Sequence, residues 1–289
     1  MIETKAVLLN KIKLFYPSLV WKTAKYVNVG MDHDVIILDN QTVFRFPKKG
    51  DSKKIFSGEI KLLQFLAKRL SFSVPNYNLI NSKAPFAGYP IITGNGLTIQ
   101  RFNGFSSLQK KFLAKDVAKF LSELHAVPTE LVVDFNVHER FAQPELSRLH
   151  RDAKKYIYPN ASNKEKIAYE SFFGSISAVF SQRISKVLVH GDFSGDHIMI
   201  SDRGRVVGII DFADRAFHDA AFDFCFLWDF GRNFIDTVYH HYAGEKLGLV
   251  ERSKVFAQAS AIWNMVQSVK KKDRNYKKCH RKFFSVNNV

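Results

Sequence analysis

The sequence predicts an α+β protein in which a small antiparallel sheet with one helix precedes a larger, mainly helical part. Up to about residue 93, short runs of β-branched and aromatic residues alternate with turn residues, and one segment has helical periodicity. Beyond it, apolar residues recur at helical spacing in several long segments. A chain of 289 residues allows two coupled lobes, so we predict an N-terminal lobe over residues 1–93 and a C-terminal lobe over residues 94–289.

The N-terminal elements follow from local patterns. We predict a strand at residues 25–29 and a hairpin whose strands are residues 35–38 and 41–46, because β-rich runs flank a turn-forming pair. Leucines at helical spacing predict a helix over residues 58–70. Two short strands follow within residues 76–92, where proline and glycine punctuate the chain.

The C-terminal elements begin with helices. Apolar residues at i, i+3, i+4 and i+7 predict a buried helix face ending near residue 125. Residues 143–155 and 164–185 also have helical patterns. A compact apolar run at residues 186–190 predicts a strand, and residues 198–210 predict a second hairpin around a polar turn.

Composition is that of a globular protein, with 46% hydrophobic and 24% charged residues. The longest apolar runs are shorter than the roughly 18 residues that span a bilayer, and the first residues lack the pattern of a signal peptide. Cys225 and Cys279 have neither a metal-binding spacing nor a disulfide framework. We therefore expect a cytoplasmic protein without a membrane span.

The formal charge of +16 is unevenly distributed. Residues 270–282 hold eight Lys or Arg and one Asp, a local charge of +7, whereas residues 192–236 hold nine Asp and four Arg, a local charge of −5. A solvated terminal helix or a frayed end is the simpler interpretation of the basic tail. Binding to RNA or to another anionic surface is the alternative.

Three polar residues follow strand ends in a telling pattern. Asp192 follows the strand at residues 186–190, His197 comes five residues later, and Asp211 ends the hairpin. Because a hairpin returns its second strand to the start of its first, Asp211 should lie beside His197. Phosphoryl transfer needs such a set, with metal ligands at the phosphates and a carboxylate that accepts or orients the proton of the nucleophile.

The motifs in this region resemble those of the aminoglycoside phosphotransferase family, most closely the branch that acts on a 2″-hydroxyl. They are Val189-His-Gly-Asp-Phe-Ser-Gly-Asp-His-Ile198, Gly208-Ile-Ile-Asp-Phe-Ala-Asp214 and Asp219-Ala-Ala-Phe-Asp223. The resemblance implies a bilobal protein-kinase-like fold, ATP or GTP as phosphate donor, and Mg²⁺. It also implies that Asp192 is the catalytic base and that His197 and Asp211 are metal ligands.

The N-terminal segment extends the resemblance and implies a nucleotide-binding lobe. Gly30 matches the start of the phosphate loop, Arg45 the phosphate-contacting base of the third strand, and Glu59 its helix partner. Tyr89 and Ile91 lie in a segment that resembles the hinge. Arg45 departs from the usual Lys, and it keeps the charge but presents a planar fork instead of a point charge.

The acceptor is less defined. Asp196, Asp229 and Asp236 are either a solvated acidic face or the carboxylates that receive a cationic substrate. We predict an aminoglycoside acceptor, and a small hydroxylated metabolite such as an amino alcohol or sugar is the alternative. A non-catalytic protein that binds nucleic acid through its tail is a third reading, but the sequence has no recognised nucleic-acid motif. We expect a monomer, and we read His125 as structural or exposed.

Overall fold

A computed structural model of the chain describes residues 3–28, 33–48, 52–139, 143–180 and 184–286. The chain forms two compact units, each assembled from three segments. The first unit contains Met1–Leu97, Glu130–Val137 and Asp196–Ala213, and the second contains Thr98–Thr129, His138–Gly195 and Asp214–Val289. The two lobes divided at residue 93 stay a prediction.

The elements confirm the predicted α+β class, with an antiparallel sheet near the N-terminus and long helices after it. The elements up to residue 139 are α1 (Lys5–Phe15), β1 (Ala24–Val27), β2 (His33–Leu38), β3 (Thr42–Pro47), α2 (Ser52–Leu66), β4 (Leu79–Ile80), β5 (Ala87–Pro90), β6 (Asn95–Gly96), α3 (Ile99–Gly104), α4 (Ser107–His125) and β7 (His138–Glu139). The later ones are α5 (Gln143–Tyr156), α6 (Asn163–Phe180), β8 (Val187–Val189), β9 (Ile198–Ile200), β10 (Val206–Ile209), β11 (Ala216–His218), α7 (Ala221–Phe224), α8 (Arg232–His241), α9 (Leu249–Lys271) and α10 (Tyr276–Ser285).

The main sheet of the first unit has five strands in the order β1-β2-β3-β5-β4, and its neighbouring strands are antiparallel. The predicted hairpin is β2–β3. Its turn residues Asp39 and Asn40 have φ of 49° and 54°, which is the left-handed pair that a two-residue hairpin turn requires. The Asp39 carboxylate also accepts hydrogen bonds from the amides of Lys22 and Thr23, which ties the turn to the start of β1.

The N-terminal segment contains a helix that the sequence did not predict. Thr4 caps α1, its Oγ1 accepting a hydrogen bond from the amide of Val7 at 3.4 Å. Leu8 and Ile12 are fully buried four residues apart, in one core cluster with Ile36 and Phe44. The expectation of one helix in this region was wrong, because two buried positions in eleven residues are too few to produce a clear apolar stripe.

The predicted second hairpin, β9–β10, belongs to the first unit. It forms a separate antiparallel sheet in the order β10-β9-β6. Gly208 lets β10 approach the backbone closely, since a Cβ on it would lie 2.5 Å from the carbonyl oxygen of Ser73. The hairpin is therefore held on both sides by earlier parts of the chain.

The second unit is mainly helical, with a three-stranded sheet in the order β7-β11-β8. Helix α6 matches the helix predicted over residues 164–185, but its described part ends at Phe180, and residues 184 and 185 are not helical. None of the described helices combines the length and the apolarity needed to cross a membrane.

The basic tail leads into a terminal helix, α10, that packs on this unit through Phe283, so the frayed end is wrong. The solvated terminal helix agrees with the structure, since Lys272, Arg274, Lys277 and Lys278 are exposed. Phe283 on α10 is fully buried in one cluster with Tyr169 of α6 and Met265 of α9. Several tail cations also pair with carboxylates from elsewhere in the unit. The pairs are Lys270–Asp152 at 2.8 Å, His280–Glu165 at 2.6 Å and Lys282–Asp229 at 2.7 Å.

Candidate active site

The first unit holds a buried arginine where the resemblance expects a phosphate-binding cation. β3 carries Arg45 and α2 carries Glu59, which are 6% and 1% exposed. Arg45 Nη1 donates to Glu59 Oε1 at 2.5 Å, so the predicted ion pair is present. Burial alone would lower the pKa of Arg45, but Glu59 and Asp211 hold it well above its ordinary value. The guanidinium is therefore charged throughout the accessible pH range.

The other end of the same guanidinium reaches two further groups. Arg45 Nη2 donates to Asp211 Oδ1 at 3.0 Å and lies 3.0 Å from His33 Nδ1. Tyr77 Oη lies 3.4 Å from Nη1, and burial raises the pKa of this phenol well above its ordinary value. The planar fork of arginine thus links α2, β2 and the segment after β10 through two different nitrogens. A lysine has only one nitrogen for such contacts.

The hairpin β9–β10 brings the two predicted metal ligands together. His197 Nε2 lies 3.6 Å from Asp211 Oδ2, which confirms the predicted proximity. The amide of Ile210 donates to the carbonyl oxygen of His197 at 3.0 Å, so the backbones of the two ligand segments are directly bonded. Asp211 has φ of 65°, a left-handed conformation that is uncommon outside glycine and that occurs often at functional sites.

These two side chains fit a hard divalent cation as part of its ligand set. Atoms 3.6 Å apart can both reach one Mg²⁺ at ligand distances of about 2.1 Å. The carboxylate is a preferred Mg²⁺ ligand, whereas imidazole is a less common one. Within the described residues, no group of three or more His, Cys, Asp or Glu side chains could hold a metal ion. A metal ion bound by His197 and Asp211 would therefore need ligands other than these side chains.

The predicted hinge residues lie at the end of β5 and just after it. Tyr89 is buried, and burial raises its pKa to about 12. The amide of Ile91 already donates to the carbonyl oxygen of Gln41 at 2.7 Å, so this N–H is engaged inside the protein. Gly30, the predicted start of the phosphate loop, lies outside the described residues.

In the second unit, the predicted catalytic loop begins with a tight turn. Gly191 has φ of 86°, and a Cβ on it would lie 2.0 Å from the carbonyl oxygen of Asp214. Only glycine fits this position without displacing the backbone. Asp192 follows it, and its carbonyl oxygen accepts a hydrogen bond from the amide of Ser194 at 2.8 Å. Asp192 is half-buried.

A fully buried carboxylate holds the base of this loop. Asp223 accepts hydrogen bonds from the amides of His190 at 2.9 Å and Gly191 at 3.0 Å, and His125 Nε2 lies 3.0 Å away. Burial alone would raise the pKa of Asp223, but these hydrogen bonds hold it below its ordinary value. Asp223 is therefore an ionised anchor for the two residues that precede Asp192.

Sequence reasoning missed several partners of the predicted residues. His125 Nδ1 lies 2.8 Å from Tyr242 Oη, which extends the anchor beyond the signature. Arg252 Nε donates to Asp219 Oδ2 at 2.6 Å and is 5% exposed. Arg252 could have been found from the sequence, because it is a charged residue on the apolar face of α9. The sequence contains no comparable pattern that would have indicated His33 or Tyr242.

The three predicted substrate carboxylates differ in their surroundings. Asp196 is exposed. Asp229 Oδ1 pairs with Lys282 of the tail at 2.7 Å, and Asp236 accepts hydrogen bonds from Arg232 at 2.8 and 3.0 Å. The charges of Asp229 and Asp236 are thus balanced within the chain.

Comparison with known proteins identifies the family. The sequence profile of the Phosphotransferase enzyme family matches residues 23–254. The Bacillus subtilis (strain 168) protein called "Uncharacterized protein YcbJ" is 23% identical over 222 residues, which are 70% of this chain and 69% of that protein.

Solved structures show the same fold. The GDP complex of wild-type aminoglycoside 2'-phosphotransferase-IIIa has a TM-score of 0.87 at 23% identity and covers 99% of this chain and 100% of its own. The apoenzyme of macrolide 2'-phosphotransferase MphH from Brachybacterium faecium has a TM-score of 0.69 at 18% identity, with 96% and 97% covered. The predicted resemblance is confirmed. The chain is an enzyme of kinase-like fold that belongs to the phosphotransferase enzyme family.

Proposed function

We propose that this enzyme transfers the γ-phosphate of ATP or GTP to a hydroxyl group of an aminoglycoside antibiotic. The observation that carries the proposal is the cluster of Arg45, Asp211 and His197. It combines a permanent cation for phosphate oxygens with a carboxylate and an imidazole for Mg²⁺. The GDP complex of the similar aminoglycoside phosphotransferase supports a nucleotide donor.

Each predicted residue has one role in this proposal. Gly30, Arg45 and Glu59 would serve the phosphates, with Glu59 orienting the arginine, and Tyr89 and Ile91 would bind the nucleotide base. Bound Mg²⁺, held by His197 and Asp211, would neutralise phosphate charge. Asp192 accepts the proton of the acceptor hydroxyl while the hydroxyl oxygen bonds to the γ-phosphorus and the nucleoside diphosphate leaves.

Two classes of molecule are candidates for the phosphate acceptor. An aminoglycoside carries several ammonium groups, and the exposed Asp196 could receive one of them. The ion pairs of Asp229 with Lys282 and of Asp236 with Arg232 favour an acceptor with fewer ammonium groups, because a polycation would have to displace them. The second candidate is therefore a small hydroxylated molecule such as an amino alcohol or a sugar. The tail pairs Lys270, His280 and Lys282 with carboxylates, which reduces the charge that it could offer to a nucleic acid.

The test is acceptor-dependent release of nucleoside diphosphate. The purified enzyme is incubated with Mg²⁺ and with ATP or GTP, alone and with kanamycin, gentamicin, a macrolide, an amino alcohol or a sugar. We expect kanamycin or gentamicin to stimulate release. Stimulation by none of the acceptors would contradict the proposed function, and stimulation by the amino alcohol or sugar alone would support the second candidate.

Two variants assign the signal to the site. Asp192→Asn should lower kcat by roughly 10² to 10⁴-fold, the usual scale for a lost acid–base group. Asp196→Asn should lower kcat/KM for the aminoglycoside by about 10 to 150-fold, the range for one hydrogen bond to a charged group, while the nucleotide KM is retained. An Asp192→Asn enzyme within about threefold of wild type would remove Asp192 as the base.

A further inference from the structure

His33 is a buried histidine beside the proposed phosphate-binding cation. It begins β2 and is 8% exposed. Its Nδ1 lies 3.0 Å from Arg45 Nη2, the same nitrogen that donates to Asp211 Oδ1 at 3.0 Å. Arg45 Nη1 is held by Glu59 at 2.5 Å. Each end of the guanidinium therefore has its own partners.

The contact fixes the tautomer of the imidazole. A guanidinium has hydrogen-bond donors and no acceptor, so Nδ1 must accept and the ring proton must be on Nε2. Burial, and then the charge of Arg45, lower the pKa of His33 to about 3, which keeps the ring neutral. His33 is thus a fixed acceptor aimed at one nitrogen of Arg45.

The Nε2 side of the His33 ring does not stabilise the folded protein. Nε2 is buried and has no hydrogen-bond partner among the described residues. The ring packs against Phe56, with centroids 5.2 Å apart, as an apolar side chain also could. An unpaired buried N–H opposes folding. The bond to Arg45 is therefore what an imidazole provides here and an aliphatic side chain would not.

This bond matters because the cation is an arginine. A lysine has one nitrogen at its end, whereas the guanidinium fork places a second nitrogen, Nη2, between Asp211 and His33. We infer that His33 is a positioning residue that holds Arg45 Nη2 in place and so sets the affinity of the enzyme for its nucleotide. Without His33, Nη2 would depend more on Asp211, the carboxylate proposed to bind Mg²⁺. The inference rests on the proposed nucleotide role of this cluster.

The test compares variants that keep or remove the acceptor. His33→Asn retains an acceptor at the δ position, and His33→Leu removes it at similar size. Calorimetry with Mg·GDP and Mg·ADP is carried out on wild type, both variants, Arg45→Lys and the double variant His33→Leu/Arg45→Lys. We expect His33→Leu to raise the Kd about tenfold for whichever of Mg·GDP and Mg·ADP the wild type binds more tightly, the scale of a hydrogen bond to a charged group. We expect His33→Asn to stay within about threefold and the melting temperature of His33→Leu to be unchanged or raised.

The double variant identifies the mechanism. In the Arg45→Lys background, His33→Leu should cause no further loss, because the second nitrogen is gone. An equal loss in both backgrounds, or His33→Leu within about threefold of wild type, overturns the inference.

Failure of the proposed function gives a different result, which is that wild type binds neither Mg·GDP nor Mg·ADP. The effect on affinity is then overturned with the proposed function, and the contact between His33 and Arg45 is read separately from the nitrogen chemical shifts of the His33 ring. A neutral ring protonated on Nε2 near pH 6 supports the contact, and an Nδ1–H tautomer or an imidazolium overturns it.

Discussion

Replacement of Asp223 by asparagine should destabilise the second unit and its catalytic loop. The carboxylate is fully buried and accepts from two loop amides, those of His190 and Gly191, with His125 as a third partner. Asparagine has the same shape but a single acceptor oxygen. If that oxygen takes the place of Oδ2, the amide nitrogen faces the N–H of Gly191 at 3.0 Å. One bond to a charged group is lost and one buried donor is left unsatisfied.

The lost bond to a charged group is worth about 1.5–3 kcal/mol and the unsatisfied donor about 1–3 kcal/mol, so we expect the free energy of unfolding to fall by about 3–6 kcal/mol. The measurement is urea unfolding followed by tryptophan fluorescence. Asp236→Asn is the matched control, because that carboxylate is in an exposed i,i+4 pair with Arg232 and should change stability by less than about 0.5 kcal/mol. A loss below about 1 kcal/mol for Asp223→Asn would refute the role of Asp223 as an anchor.

Two further predictions concern the tail and His33. Phe283→Ala should lower the free energy of unfolding by about 3–5 kcal/mol, because the ring is fully buried. The control Phe112→Ala, at an exposed position, should have a small effect. Equal urea midpoints for the two variants would contradict the packing of α10. Because burial lowers the pKa of His33 from 6.5 to about 3, protonation of this ring favours the unfolded chain, so stability is full above pH 6.5 and falls as the pH drops toward 3. Between pH 8 and 5 this loss of stability is about 2 kcal/mol in the wild type. Urea unfolding at the two pH values should show no such loss for His33→Asn, which has no ring to protonate.

Most of the fold could be predicted where the signal is local. The hairpins β2–β3 and β9–β10 followed from β-rich runs around turn residues, and α4 followed from its apolar spacing. Helix α1 could not be predicted, because its two buried residues become informative only when the sheet that covers them is present. For the same reason the anchoring of the tail could not be predicted, since a run of lysines does not reveal that Phe283 packs against α6 and α9.

The candidate site also has a part that the sequence predicted and a part that only the tertiary structure showed. The sequence alone determined the family and the proximity of His197 and Asp211, because both depend on short-range spacing within one hairpin. Only the tertiary structure decided which groups surround them. His33 and Arg45 face each other across two strands, Asp223 reaches His125 from a distant helix, and Lys282 neutralises Asp229. These pairings are set by how the elements pack, and the partner of a buried charge is chosen by that packing and not by its position along the chain.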